Sequence, residues 1–205
     1  ADENSGVNVS TKHITYCTSG MYCNALVTAG LSDAKVTVVG PFDISGTSAL
    51  VGAMKAYSVM TGEEISEKTM DTATDELVTT AEVAKNVGDK QKVTELVAAA
   101  KKAVFEDQLS SETDIRDAIE QAANELSIDL SDDDVEKLTN MMMKVSNEDI
   151  DPDTIAKQAS DIYNKLKEKG IDLANVDTKG LSEKIGDFFG NIFTAIANFF
   201  SGLFG

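Results

Sequence analysis

Residues 34–62 read AKVTVVGPFDISGTSALVGAMKAYSVMTG. The β-branched run Lys35–Val39 predicts a strand, which Gly40-Pro41 breaks and Phe42–Ile44 briefly resumes. Ser45-Gly46 then turns the chain into an apolar helix predicted over Thr47–Met60 and closed by Gly62. Upstream the pattern repeats. Val7–Cys17 alternates through Val7, Val9, Ile14 and Tyr16 as a strand, with a register slip near Ser10–Lys12 that predicts a bulge. Ser19 is expected to cap a helix over Met21–Ala29, and Gly30 to end it. SGMYCNALVTAG and SGTSALVGAMKAYSVMTG thus look like two copies of one unit, which makes residues 1–62 a small βαβα layer.

If the two strands are parallel and joined by right-handed crossovers, both Ser-Gly turns fall at one edge of the sheet. Two helix N-termini aimed at one place make a candidate anion site, with Ser19, Gly20, Ser45, Gly46, Thr47 and Ser48 supplying hydroxyls and backbone N–H groups. The phosphate-loop pattern is not met, because no Gly-Lys-Ser or Gly-Lys-Thr follows. Serine as a preferred cap and glycine as a site of close packing account for the same residues.

From Glu63 the strands give way to helical period. Ile65, Met70, Ala73, Leu77, Ala81 and Ala84 mark one face, and Val93, Leu96, Val97, Ala100 and Val104 a second. Ile115, Ala118, Ile119, Ala122 and Leu126 mark a third; Val135, Leu138, Met142 and Val145 a fourth. Ser111 with Asp114, and Ser131 with Asp134, resemble capping boxes whose acid is one methylene short. Asp151-Pro152 opens a fifth helix with the face Ile155, Ala159, Ile162, Tyr163 and Leu166. Residues 63–170 therefore read as a run of amphipathic helices.

The C-terminal region, 171–205, is of another kind. Leu181, Ile185, Phe188, Phe189, Ile192, Phe193, Ile196, Phe199, Phe200 and Leu203 form one wide stripe, which Phe204 extends. Six of the eight phenylalanines lie here. Asp187, Asn191, Asn198 and several glycines make the segment too polar to span a bilayer. Three destinations fit it: its own helical region, a partner's groove or a second copy, and a membrane surface. The last lacks electrostatic help, since the face opposite the stripe is Gly, Asn, Ser and Thr with Lys184 as its one cation.

The net charge of −17 opposes nucleic acid and anionic membrane surfaces as partners. One histidine, His13, gives a catalytic triad nothing to build on and leaves zinc short of ligands. Cys17 and Cys23 suit either a disulfide or two buried thiols. Asp149, Asp151 and Asp153 imitate a calcium loop, but its sixth and twelfth positions hold Thr154 and Ser160; helix capping accounts for these acids. Met141, Met142 and Met143 offer an adaptable surface, with Met142 alone on the core stripe. No cofactor or metal site is expected.

Tyr22, Asn24-Ala25-Leu26, Thr28-Ala29-Gly30, Asp33-Ala34, Pro41, Ser45-Gly46-Thr47, Ala49-Leu50 and Lys55-Ala56 carry a resemblance to the YpuA-like family of unknown function, and it extends over most of residues 6–145. The resemblance implies an exported or envelope-associated protein of Gram-positive bacteria. It supports a signal peptide already removed ahead of ADENSG, and it brings no catalytic residue. It also implies a further segment upstream of the part matching Gly6; a strand there would change which sheet edge is open.

The sequence therefore reads as α+β and predominantly helical: a βαβα layer, a multi-helix region and a C-terminal amphipathic helix. The expected function is non-enzymatic binding at the cell surface or after secretion, through a protein partner or self-association of the C-terminal helix. A membrane-active or self-assembling protein working through that helix is the alternative. An enzyme or anion-binding protein with its site at the two Ser-Gly turns comes third.

Overall fold

The structure is a computed structural model that describes residues 5–169. β1 (Val7–Ile14) and β2 (Ala34–Ile44) pair in parallel as a two-stranded sheet. Pairing is regular from Val7 opposite Ala34 to Lys12 opposite Val39, and resumes at Ile14 opposite Ile44. Between those points β1 contributes His13, and β2 contributes Gly40, Pro41, Phe42 and Asp43. The irregularity thus falls after Ser10–Lys12, where proline withholds the N–H that a ladder needs. His13 takes a φ of 58° there. Gly40 is required in this bulge, because a Cβ would lie 2.6 Å from the Phe42 carbonyl oxygen and 2.9 Å from that of His13. Gly40-Pro41 consequently bends one continuous strand rather than dividing it.

α1 (Ser19–Thr28) follows β1, and all ten of its residues are buried. Thr18, not Ser19, caps it: the Met21 N–H donates to Thr18 Oγ1 at 3.2 Å. Ser19 sits one position further in, buried, with its hydroxyl 3.3 Å from that of Thr11. α2 (Thr47–Thr61) follows β2, ends on Gly62 and buries only Leu50 and Met54.

The remaining described helices are α3 (Glu67–Val87), α4 (Lys90–Glu106), α5 (Glu112–Glu125), α6 (Asp132–Ser146) and α7 (Pro152–Lys169). Ser66, Asp89, Ser111 and Ser131 cap α3 to α6. At Ser111 and Ser131 the serine accepts the N–H three residues on, and its hydroxyl donates to that residue's carboxylate at 2.6 Å. The short aspartate reaches the serine hydroxyl, where a glutamate would reach the cap's backbone.

One apolar core runs from Val7 to Ile162 and joins the layer to the helices. α1 packs on β1, α3, α4 and α7; α4 lies against α7, α3 and α5; α6 closes on α3 and α5. The expected apolar faces of α3 to α6, with Ile155, Ala159, Ile162 and Tyr163 of α7, supply this core, while Leu166 lies outside the described side chains, and the chain is α+β and predominantly helical. Met141 is buried alongside Met142, so only Met143 of the three turns partly outward.

Cys17 and Cys23 are two buried thiols rather than a disulfide. Cys23 lies on the α1 face that meets the start of β1, its thiol donating to the Val7 carbonyl at 3.6 Å. Cys17 lies past the strand's other end, its N–H donating to the Ser45 carbonyl at 3.3 Å. The two thiols therefore serve opposite ends of β1. The aromatic segment 181–204, from Ile185 to Phe204, lies outside the described residues.

Candidate functional site

Both Ser-Gly turns do meet at one edge. The Thr15 N–H donates to the Ile44 carbonyl at 2.9 Å, and the Tyr22 hydroxyl, from inside α1, donates to the Gly46 carbonyl. The six residues expected to bind an anion divide there. Ser19, Gly20 and Gly46 are buried, while Ser45 and Ser48 are exposed and Thr47 is half-buried. With Thr18 capping α1 and Ser19 turned to Thr11, the first helix offers no hydroxyl to solvent. The second begins at Gly46, in the left-handed region and with no side-chain cap, so its first turn is open.

Around this edge His13 Nδ1 lies 3.2 Å from Asp43 Oδ1, and Lys90 Nζ donates to the Thr15 carbonyl at 2.6 Å. Burial pushes the Cys17 thiol up to about 11, against the opposing influence of Lys90. It stays protonated at neutral pH, and a protonated thiol is a poor nucleophile.

The charged groups that sequence reading missed are inside. Lys101 and Glu76 are both fully buried, with Lys101 Nζ 2.7 Å from Glu76 Oε1. Lys101 also donates to Thr28 Oγ1 at 2.7 Å and to the Asn24 carbonyl at 2.8 Å; Thr28 donates to Glu76 Oε2 at 2.5 Å. Asn24 Nδ2 reaches the Thr94 carbonyl at 3.2 Å. Burial lowers the Lys101 pKa and Glu76 opposes that shift. The network keys α1 onto α3 and α4. Its signal was position: Lys101 stands four residues after Val97 and three before Val104, inside an apolar stripe.

Two surfaces among the described residues carry exposed apolar side chains on helices. On α2, Ser48, Gly52, Lys55, Ala56, Val59 and Met60 share the face opposite Leu50 and Met54. Val59 and Met60 are 86% and 85% exposed. α2 contains no acidic residue, in a chain carrying −17.

The second surface is a groove of about 1010 Å3 between the first half of α3 and the end of α6. Glu67, Asp71, Asp75 and Val78 line it from α3, and Met143, Lys144, Asn147 and Glu148 from the other side. Lys144 pairs with Asp75 at 2.8 Å, and Lys68 with Glu148 at 3.2 Å. Burial pushes the Glu148 carboxyl up, but hydrogen bonds from Thr72, Thr69 and Lys68 together hold it below the ordinary range.

A family profile described as a protein of unknown function (DUF1002) matches residues 1–162. A Bacillus subtilis (strain 168) protein, "Uncharacterized protein YpuA", is 38% identical over 202 residues, covering 98% of this chain and 68% of that protein. No solved structure matches the chain. With the match spanning the sheet, α1 to α6 and most of α7, the chain belongs to the DUF1002, YpuA-like family of unknown function.

Proposed function

We propose that this chain is a non-enzymatic interaction protein, exported to the cell surface or beyond, that docks a protein partner on the outward face of α2. The observation that carries the reading is the exposure of Val59 and Met60 on a helix without acids. Leaving two such side chains in water forgoes about 4 kcal/mol, at about 2 kcal/mol each. An apolar patch of this kind marks a contact surface. Charge indicates the partner: two surfaces rich in acid repel, and α2 is where this chain presents an uncharged strip flanked by Lys55. The partner's contact face is accordingly apolar and uncharged.

A photo-crosslinking residue at position 56, in the chain expressed in Bacillus subtilis, tests this. The expected result is one discrete adduct from position 56 and none from position 112 on α5. Equal adducts from both positions, or none from 56, would reject the reading. An adduct of twice the chain's mass would identify the partner as a second copy.

The open first turn of α2 favours a second reading, in which Ser45, Thr47 and Ser48 bind an anion. Phosphate would then raise the melting temperature of the wild type but not of Ser48→Glu. Equal response of the two proteins to phosphate rules it out.

A further inference from the structure

The groove between α3 and α6 is separate from the α2 face, and its chemistry specifies an occupant. α3 and α6 run antiparallel here, since Lys68 meets Asn147 and Glu148, Asp75 meets Lys144, and Glu82 meets Lys137. Glu67, Asp71, Asp75 and Val78 recur along one face of α3 at helical spacing and present carboxylates, then an apolar floor. Val78 is 38% exposed, an exposed large hydrophobic on a helix whose core side is otherwise filled. Met143 faces it from α6 and supplies a side chain that adapts to varied apolar shapes.

Charge on the rim is unbalanced. Lys68 and Lys144 are each already engaged by a carboxylate, while Glu67 and Asp71 have no cation of their own among the described residues. The C-terminal end of α6 points at the same place, and its carbonyl end adds negative potential. Lys68 already answers it by donating to the Asn147 carbonyl at 3.0 Å. The field of a chain carrying −17 steers cations toward this lip. The α3 wall from Glu67 to Val78 is about 17 Å long, or three helical turns.

We propose that this groove binds a basic amphipathic helix of a partner protein, with apolar side chains on Val78 and Met143 and lysines or arginines against Glu67, Asp71 and the end of α6. A small polycation would satisfy the rim and leave the floor unused. An acidic or neutral helix would leave the rim unanswered.

The probe is a helix-forming peptide of leucine and lysine, about five turns long, titrated into the full chain and followed by fluorescence anisotropy. A peptide of the same composition, reordered so that no apolar face forms, is the comparison. The amphipathic peptide should bind saturably and at least about tenfold more tightly than the reordered one. Glu67→Lys with Asp71→Lys should weaken it about tenfold, and Val78→Lys alone should do the same from the floor. Glu112→Lys with Asp161→Lys makes the same change in net charge at distant exposed positions, and should change affinity by less than about twofold. Equal weakening by the rim and distant pairs, equal affinity for the two peptides, or no saturable binding would each overturn the proposal. If the rim pair does not fold, as read by thermal unfolding, Val78→Lys decides alone.

Discussion

α1 and α2 start from nearly the same instructions and meet opposite fates. Each follows a strand of the parallel pair, each begins beside a Ser-Gly step, and neither contains an acid. Yet α1 is buried over its whole length, and α2 buries two residues. The difference lies in what each helix carries for its neighbours. α1 brings Asn24 and Thr28, which fit the Lys101–Glu76 pair and Thr94; α2 brings Gly52, Ala56, Val59 and Met60, which nothing in residues 5–169 covers. A buried ion pair contributes little net stability, but breaking one partner is costly, so such a pair selects one arrangement over others. Helix formation is local here, and placement is decided by partners far along the chain.

The strongest way to break the comparison is to remove the key. Lys101→Met leaves Glu76 without its ion-pair partner in the core, and should cost about 3–5 kcal/mol in urea unfolding. Lys101→Met with Glu76→Leu removes both charges and should recover most of that loss. A single-variant cost under about 1 kcal/mol would mean that the network does not hold α1 in place.

Next in size comes the join between the two units. At Gly46, with φ at +92°, an added Cβ would lie 2.5 Å from Ile14 Cγ2 and 2.5 Å from the Tyr22 hydroxyl. Gly46→Ala should therefore cost about 2–4 kcal/mol through strain and crowding. Gly52, six residues on, has nothing within 4 Å of such a Cβ, and Gly52→Ala should stabilise α2 by about 0.5–1 kcal/mol. Opposite signs from the same substitution within one motif would show that α2 is anchored at its start and free on its outer face.

A smaller effect concerns α3, which holds α1 on one side and α6 on the other. Glu148 and Asp134 both sit below the ordinary carboxylate range: burial raises each, and hydrogen bonds from Thr72, Thr69 and Lys68, or from Ser131 and Asn86, outweigh it. A carboxyl whose folded pKa lies below its unfolded one stabilises the fold above the unfolded value, and that contribution is lost as pH falls through the folded one. Unfolding midpoints should therefore be level above about pH 5 and decline below about pH 4. Glu148→Gln should flatten that decline and cost about 1–2 kcal/mol at pH 7.

Much of this arrangement was legible in the residues. The strands, the apolar stripes and the serine caps at 111 and 131 follow from periodicity and capping chemistry, which act over a few positions. So did the meeting of the two Ser-Gly turns, because a parallel pair with helical crossovers leaves little choice. What stayed hidden depended on distant contacts. Position marks Lys101 as lying inside the α4 stripe, but nothing local names Glu76, Thr28 and Asn24 as its partners, or says that Ser19 turns inward while Ser45 faces water. Cys17 and Cys23 could be assigned to opposite ends of β1 only once α1 was placed against that strand. At the candidate site, the hydroxyls were found from sequence, and their burial was not.

The most direct test of the account separates stability from contact on α2. Val59→Lys with Met60→Lys, in a chain carrying the photo-crosslinking residue at position 56, should leave the unfolding free energy within about 0.5 kcal/mol of the parent. It should also abolish the discrete adduct. A loss of about 2 kcal/mol or more would show that this face is part of the protein's own packing, and an undiminished adduct would show that the partner does not dock there.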